Sequence, residues 1–592
     1  MCGIIGQLNF SAAVDRGRFD AMRDTLTHRG PDGYGTEIRD GGRLALGHRR
    51  LSILDLSERG HQPMSNEDNT VWITFNGEIY NYGPLRRELL ASGHVFRSTS
   101  DTEVLVHGYE EWGLEDLLRR IKGMFAFGLW DENRRKLFVV RDRFGIKPLV
   151  YRIDNDRFVF ASEIKAITRD PEFAKFLRPD ALADFFLYSY VPHPHTVWEG
   201  IHKLRPAHYL EVDADRGTHR TVRYWNLPER VQPLPYAEAR ERMQELLHRS
   251  VREHLVSDVP VGLFLSGGLD SASVLLHMRD LGCETDAFSL GFAGSDRSEH
   301  APAAAIAEAL DARHHVKLLG YEDEVFPLIE RLVRHYDEPF AVSSQLTYHY
   351  IAEYAAQTHK VVLGGDGGDE LLAGYHWYPQ MARWRPGPRS LLRALRGGAG
   401  LKEQQLEVYA REQTGVYHYL RSRGIVAPEW MDRMHARAYN YFTRFFGQSK
   451  DRIKSWQRLD IDTFMLDNCL QRADSSSMLH SLEVRVPFLD HELFEFVYSL
   501  PSDTYFQPHR QKKMLYDKLE PRLPPSVLDR KKQGFGFQHR DSLKGPAFED
   551  FVNRGELRKL GLLARPADFS QLTGEEAYHL VFLEQWLRLN QI

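Results

Sequence analysis

Residues 263–271 read LFLSGGLDS, an apolar run that stops at a serine, two glycines and the triplet Leu269, Asp270, Ser271. The run begins earlier, as VPVGLFL (259–265), and SASVLLHMRDL (271–281) follows with its apolar residues at helical spacing. A strand therefore enters a Gly-rich turn and a helix leaves it. Backbone N–H groups at such a helix start face an anion, and glycine lets a phosphate approach closely. GxxxxGK[ST] is absent, so this is not a Walker loop. Downstream, ETDAFSLGF (284–292), HAPAAAIAEALDA (300–312) and HKVVLGGDGGDE (359–370) continue the alternation of strand and helix. That order predicts a parallel sheet with crossover helices. The second Gly-rich turn, GGDGGDE (364–370), crowds Asp366, Asp369 and Glu370 into five residues. Like charges this close repel unless a cation such as Mg²⁺, or a metal–polyphosphate, joins them. Two such turns at strand ends of one sheet predict a ligand crevice.

Upstream the pattern changes. Short apolar runs broken by turns, such as RLALGHRRLSILDL (43–56), TVWITFNGEIYN (70–81), GMFAFGLWD (123–131) and RKLFVVRDRFG (135–145), predict strands of a layered α+β domain. We expect this domain over 1–215, a linker over 216–235 where Pro, Asp and Arg accumulate, and the parallel-sheet domain over 236–592. Within the last, 376–455 reads as a helical insertion and the C-terminal part as mostly helical. With 77 basic and 82 acidic residues, net −5, the chain lacks the basic excess of a nucleic-acid binder. No run approaches the ~18 apolar residues of a membrane span. Only three cysteines occur (Cys2, Cys283, Cys469) and no signal peptide is visible, so a reducing, cytoplasmic setting is expected.

One cysteine stands at an unusual place, in MCGIIG (1–6). Once Met1 is removed, Cys2 carries a thiol and a free α-amine on one carbon. The amine, with an ordinary pKa of about 8, can activate the thiol as a nucleophile.

SGGLDS (266–271) resembles the pyrophosphate loop of ATP pyrophosphatases, which cleave ATP between the α and β phosphates. Together with MCGIIG, HRGPDG (28–33), RLSI (50–53), NGEIYN (76–81), SDTE (100–103), GGDGGDE, LEVRVPFLD (482–490) and RKKQGFG (530–536), it gives an ordered set. In that order the chain resembles the bacterial-type glutamine-dependent asparagine synthetase family, over nearly its whole length except 376–455. The resemblance implies an αββα glutaminase sandwich of the N-terminal-nucleophile type, followed by an α/β ATP-pyrophosphatase domain. It implies Cys2 as the nucleophile on glutamine, with Asn76 and Gly77 as oxyanion donors. Arg50 would take the glutamine carboxylate (Arg49, its neighbour, leaves an ambiguity), and Asp101 its ammonium, with Glu78 as a second contact. For ATP it implies Leu263, Ser266, Gly267, Gly268, Asp270, Ser271, Leu290 and Gly365, with Asp270 and Asp369 on Mg²⁺. Lys532 is the matching essential lysine, and Asp366 stands where many members carry Glu, as the base for ammonia.

For the acceptor, aspartate, Ser343 and Ser344 keep hydroxyls, but Leu346 and Ser475 replace two cations of the family pattern. Either a neighbour such as Arg472 or Arg485 compensates, or aspartate binds weakly. The alternatives are an amidotransferase of the same architecture acting on another small carboxylate, and a non-catalytic scaffold. A homodimeric assembly is left open.

Overall fold

The computed structural model describes residues 2–293, 298–320, 325–385, 415–431, 451–530 and 543–592, with the isolated residues 404, 433, 434, 437 and 449. The first half forms β1 (Gly3–Asn9), β2 (Gly33–Arg39), β3 (Leu44–Arg50), β4 (Met64–Ser65), β5 (Val71–Ile79) and β6 (Gly123–Asp131). It continues through β7 (Lys136–Arg141), β8 (Val150–Ile153), β9 (Arg157–Ala161), β10 (Ile201–Lys203), β11 (His208–Asp213) and β12 (Thr218–Arg223). These make two six-stranded sheets, ordered β10-β8-β9-β1-β3-β2 and β12-β11-β7-β6-β5-β4.

Strand alternation explains the layering. On β1, Ile4 and Leu8 join Trp72, Ala126, Trp130 and Val139 in a core between the sheets. Ile5 faces the other way, onto Phe19, Met22 and Leu26 of the helix Arg16–Asp24 and the turn after it. The second sheet is covered on its outer face by helices Tyr82–Ala91 and Thr102–Arg120 through Leu85, Leu89, Val106 and Leu117. The result is the αββα sandwich.

The second half builds one parallel sheet of β13 (Val261–Phe264), β14 (Asp286–Phe292), β15 (Arg313–Leu319), β16 (Val361–Leu363) and β17 (Glu483–Arg485), ordered β15-β14-β13-β16-β17. The order reverses between β13 and β16, which opens a crevice at their carboxyl ends. Both Gly-rich turns lie there. The C-terminal part is helical, ending in the buried helix Gly574–Leu589. Among the described residues, no helix is long and apolar enough to cross a membrane.

One expectation changes. The stretch expected as a linker, 216–235, begins inside the first half, because β12 pairs along β11 from Thr218 to Arg223; the irregular connection starts only after it. Of the stretch 376–455, the described parts include helices Trp377–Arg383 and Gly415–Ser422. Most of the remainder lies outside the described residues.

Candidate active site

Cys2 stands at the mouth of β1, beside β5. Its backbone nitrogen, which removal of Met1 would turn into an α-amine, donates to Asn76 Oδ1 at 2.8 Å. That contact turns the other end of the amide outward: Asn76 Nδ2 is buried with no hydrogen-bond partner among the described residues. A buried donor left unpaired is costly, and a developing oxyanion beside it would satisfy it. Gly77 follows at φ +154°, and a Cβ there would collide with the Met124 carbonyl oxygen. The backbone can lie this close to β6 only because residue 77 is glycine. Burial pushes the Cys2 thiol above its ordinary pKa, while the neighbouring Arg50 acts in the opposite sense.

The alternation of β3 separates the two arginines. Arg49 packs over Tyr34 and reaches Asp24 at 3.4 Å. Arg50 donates to the backbone carbonyls of Ser57, at 2.8 Å, and Asp55. Arg50 is therefore the cation on the Cys2 side. Asp101 is 4% exposed, and its Oδ2 accepts from Ile79 N at 2.8 Å. Burial pushes its pKa up to about 6. The Glu78 carboxylate lies 3.0 Å from Arg485 Nη2, an ion pair across the junction with β17.

Sequence reasoning assigned no role to Arg29, in HRGPDG. It is fully buried, its Nε donates to the Cys2 carbonyl at 3.1 Å, and its Nη1 reaches Glu163 at 2.8 Å. The same guanidinium holds Asp474, on helix Gln471–Met478 of the second half. Between the halves lies a cavity lined by Arg29, Ile146, Leu149, Leu466, Leu470 and Asp474, among others.

In the crevice, Ser266 and Ser271 close the first turn on itself. Ser271 Oγ lies 3.0 Å from Ser266 Oγ and accepts from Ser266 N at 3.1 Å. Gly268 leads helix Leu269–Asp280, with Asp270 in its first turn. Leu263 and Leu290 are buried on β13 and β14 beneath it. Gly365 of the second turn faces this helix start; a Cβ on it would sit 3.1 Å from Asp270 Cβ. The two turns bring Asp270 and Asp369 to one cation, Lys512, whose Nζ bonds Asp270 and lies 2.6 Å from Asp369. Burial alone would lower the lysine pKa, but the two carboxylates raise it above the usual range. Carboxylates converging on one positive centre suit a divalent cation, so the Mg²⁺ expectation fits these residues. No motif announced Lys512; the signal is only its place in space, 242 residues from Asp270. Lys532 lies outside the described residues. Arg530, at the start of the same motif, reaches the first turn, so that a Cβ on Gly267 would lie 2.6 Å from its Nη1.

Beside the crevice, Arg472 Nη1 donates to Ser344 Oγ at 2.8 Å, and Nη2 lies 3.5 Å from Asp366. Tyr348 donates to Asp366 Oδ2 at 2.6 Å. Ser343 donates to Glu575 at 3.1 Å. Leu346 is fully buried in the apolar core, and the Ser475 carbonyl accepts from His335. Arg485 is engaged at the junction, through Glu78 and Glu483. Of the two arginines considered as replacements for the absent cations, Arg472 is the one at Ser344.

Residues 1–225 match the family model of the glutamine amidotransferase domain, and residues 242–586 that of asparagine synthase. The chain is 34% identical over 578 residues to asparagine synthetase [glutamine-hydrolyzing] 1 of Bacillus subtilis (strain 168), covering 92% of this chain and 88% of that protein. It is 31% identical to asparagine synthetase [glutamine-hydrolyzing] 3 of the same organism, covering 91% and 87%. With the putative asparagine synthetase [glutamine-hydrolyzing] of Mycobacterium tuberculosis (strain ATCC 25618 / H37Rv) it shares 34% identity, over 86% of this chain and 82% of that one.

Proposed function

This chain belongs to the glutamine-hydrolysing asparagine synthetase family, and from that premise we propose that it makes asparagine from aspartate, using ammonia released from glutamine and ATP cleaved to AMP and pyrophosphate. Cys2 Sγ attacks the glutamine side-chain amide, and the α-amine of Cys2 takes the thiol proton. Asn76 Nδ2 and the Gly77 N–H stabilise the oxyanion. Arg50 holds the substrate carboxylate and Asp101 the ammonium. Water opens the thioester to glutamate, while the freed ammonia moves through the cavity between the halves.

At the crevice, the aspartate side-chain carboxylate attacks the α-phosphorus of ATP and pyrophosphate leaves. The Gly267–Gly268 turn and the start of the following helix face the phosphates, and Lys512 and Lys532 compensate the leaving charge. Mg²⁺, held by Asp270 and Asp369, supplies further charge neutralisation when bound. Ser344 and Arg472 hold the acceptor, and ammonia then displaces AMP from the acyl-adenylate as Asp366 accepts its proton. Three free cysteines agree with a reducing, cytoplasmic setting.

One observation carries this reading: a single chain combines a Cys2 nitrogen bound to Asn76 with two carboxylates, Asp270 and Asp369, converging at a pyrophosphatase-type turn. The test is chromatographic separation of nucleotide products. AMP and pyrophosphate support the proposal; ADP as the main product overturns it.

A further inference from the structure

A group of histidines and glutamates lies on the glutaminase half, outside the site above. His94 follows helix Tyr82–Ala91, while His107 and Glu110 are three residues apart on helix Thr102–Arg120. His107 Nδ1 is 2.9 Å, and His94 Nδ1 4.0 Å, from the same oxygen, Glu110 Oε2. Donor atoms from all three lie within 4.8 Å of one another. Around a tetrahedral zinc with Zn–N bonds of about 2.0–2.1 Å, ligand atoms sit roughly 3.4 Å apart.

The surroundings match a metal centre as well as the donors do. The far nitrogen of each imidazole faces a second carboxylate: His94 Nε2 lies 3.1 Å from Glu111, and His107 Nε2 3.7 Å from Glu103. Such outer carboxylates orient metal-bound histidines and fix their tautomer. His107 is 1% exposed, and its Nε2 has no hydrogen-bond partner among the described residues. Glu110 Oε1 is steadied by Asn66 Nδ2 at 2.7 Å, and Glu103 accepts from the backbone of Arg97 and Ser98. The Glu110 side chain is 27% exposed, which leaves an open side for a further ligand or water.

A second group, His349, Glu353 and His480, has similar spacing. There, however, Lys317 lies 3.0 Å and Arg331 3.6 Å from Glu353, so an incoming cation meets two positive charges. Among the described residues, no lysine or arginine is ion-paired to Glu103, Glu110 or Glu111.

We propose that His94, His107 and Glu110 bind a divalent transition-metal ion of the zinc class, with Glu103 and Glu111 as outer carboxylates. The ion ties the turn at His94 to a helix whose first residue follows Asp101, and so steadies the start of that helix. Its role is structural, and it rests on the fold of this half alone.

The full chain, stripped with a chelator and desalted, is titrated with Zn²⁺ by calorimetry, and bound metal is counted by mass spectrometry. The wild type should hold one equivalent more than His94→Gln or Glu110→Gln, and Zn²⁺ should raise its melting temperature but not theirs. Glu111→Gln, which keeps all three ligands, should weaken that equivalent by about 10–100-fold. Equal zinc content in the wild type and both ligand variants overturns the proposal, whatever the nucleotide assay gives.

Discussion

Arg29 and Asp474 form a buried two-point ion pair between the halves, with Nη1–Oδ2 at 2.9 Å and Nη2–Oδ1 at 3.3 Å. The arginine that holds the Cys2 carbonyl is thus tied to the helix that carries Arg472. Removing one partner of a buried pair costs about 3–5 kcal/mol where the charge is left alone; here Glu163 still holds Arg29, so the cost stays below that range. Asp474→Ala should lower stability measurably in denaturant unfolding, by less than the loss of both carboxylates. The milder Asp474→Asn should reduce glutamine-dependent synthesis more than ammonia-dependent synthesis. Equal losses of the two rates would mean that the pair does not serve the Cys2 site.

Arg472 is the cation bound to Ser344, and in the proposed function it holds the acceptor. A charged hydrogen bond contributes about 1.5–3 kcal/mol, so Arg472→Leu should raise the aspartate KM roughly 10–100-fold. Steady-state kinetics with glutaminase turnover measured in parallel checks this. An unchanged aspartate KM would assign acceptor binding to other residues.

With Asp101 on the glutamine ammonium, as proposed, the glutaminase should show a pH dependence set by this carboxyl. Burial raises its carboxyl to about 6, with Glu483 acting in the same sense and Arg485 and the Ile79 N–H opposing. A folded pKa above the unfolded value of about 3.9 means that the native state binds the proton more tightly. Without glutamine, stability therefore falls as pH rises from about 4 to about 6. Pairing with an ammonium needs the ionised form, so glutaminase kcat/KM should fall roughly tenfold per unit below about pH 6. Asp101→Asn should have low kcat/KM without this limb; a pH profile with the limb intact would contradict the assignment.

The parts of this molecule legible in its sequence are those whose chemistry is local. LFLSGGLDS declares strand, turn and helix start within nine residues, and the carboxylates of GGDGGDE announce their own need for a cation. What could not be read depends on distant neighbours. β12, THRTVR, is almost wholly exposed and shows no apolar alternation; only its pairing with β11 makes it a strand. Arg472 meets Ser344 across 128 residues. Arg29 sat in a recognised motif, yet its partner Asp474 is 445 residues away. Glu78 lay in the NGE motif, and nothing local foretold that Arg485 would claim it.

The central claim is that nitrogen released at Cys2 reaches an acceptor activated at the β13–β16 crevice. The direct measurement incubates the enzyme with amide-¹⁵N-glutamine, ATP, Mg²⁺ and aspartate, and follows the label by mass spectrometry. The wild type should give ¹⁵N-asparagine with one AMP per label transferred. Cys2→Ala should give none from glutamine but should form asparagine from added ammonia. Label that stays in free ammonia, or ¹⁵N-asparagine made by Cys2→Ala from glutamine, would contradict the account.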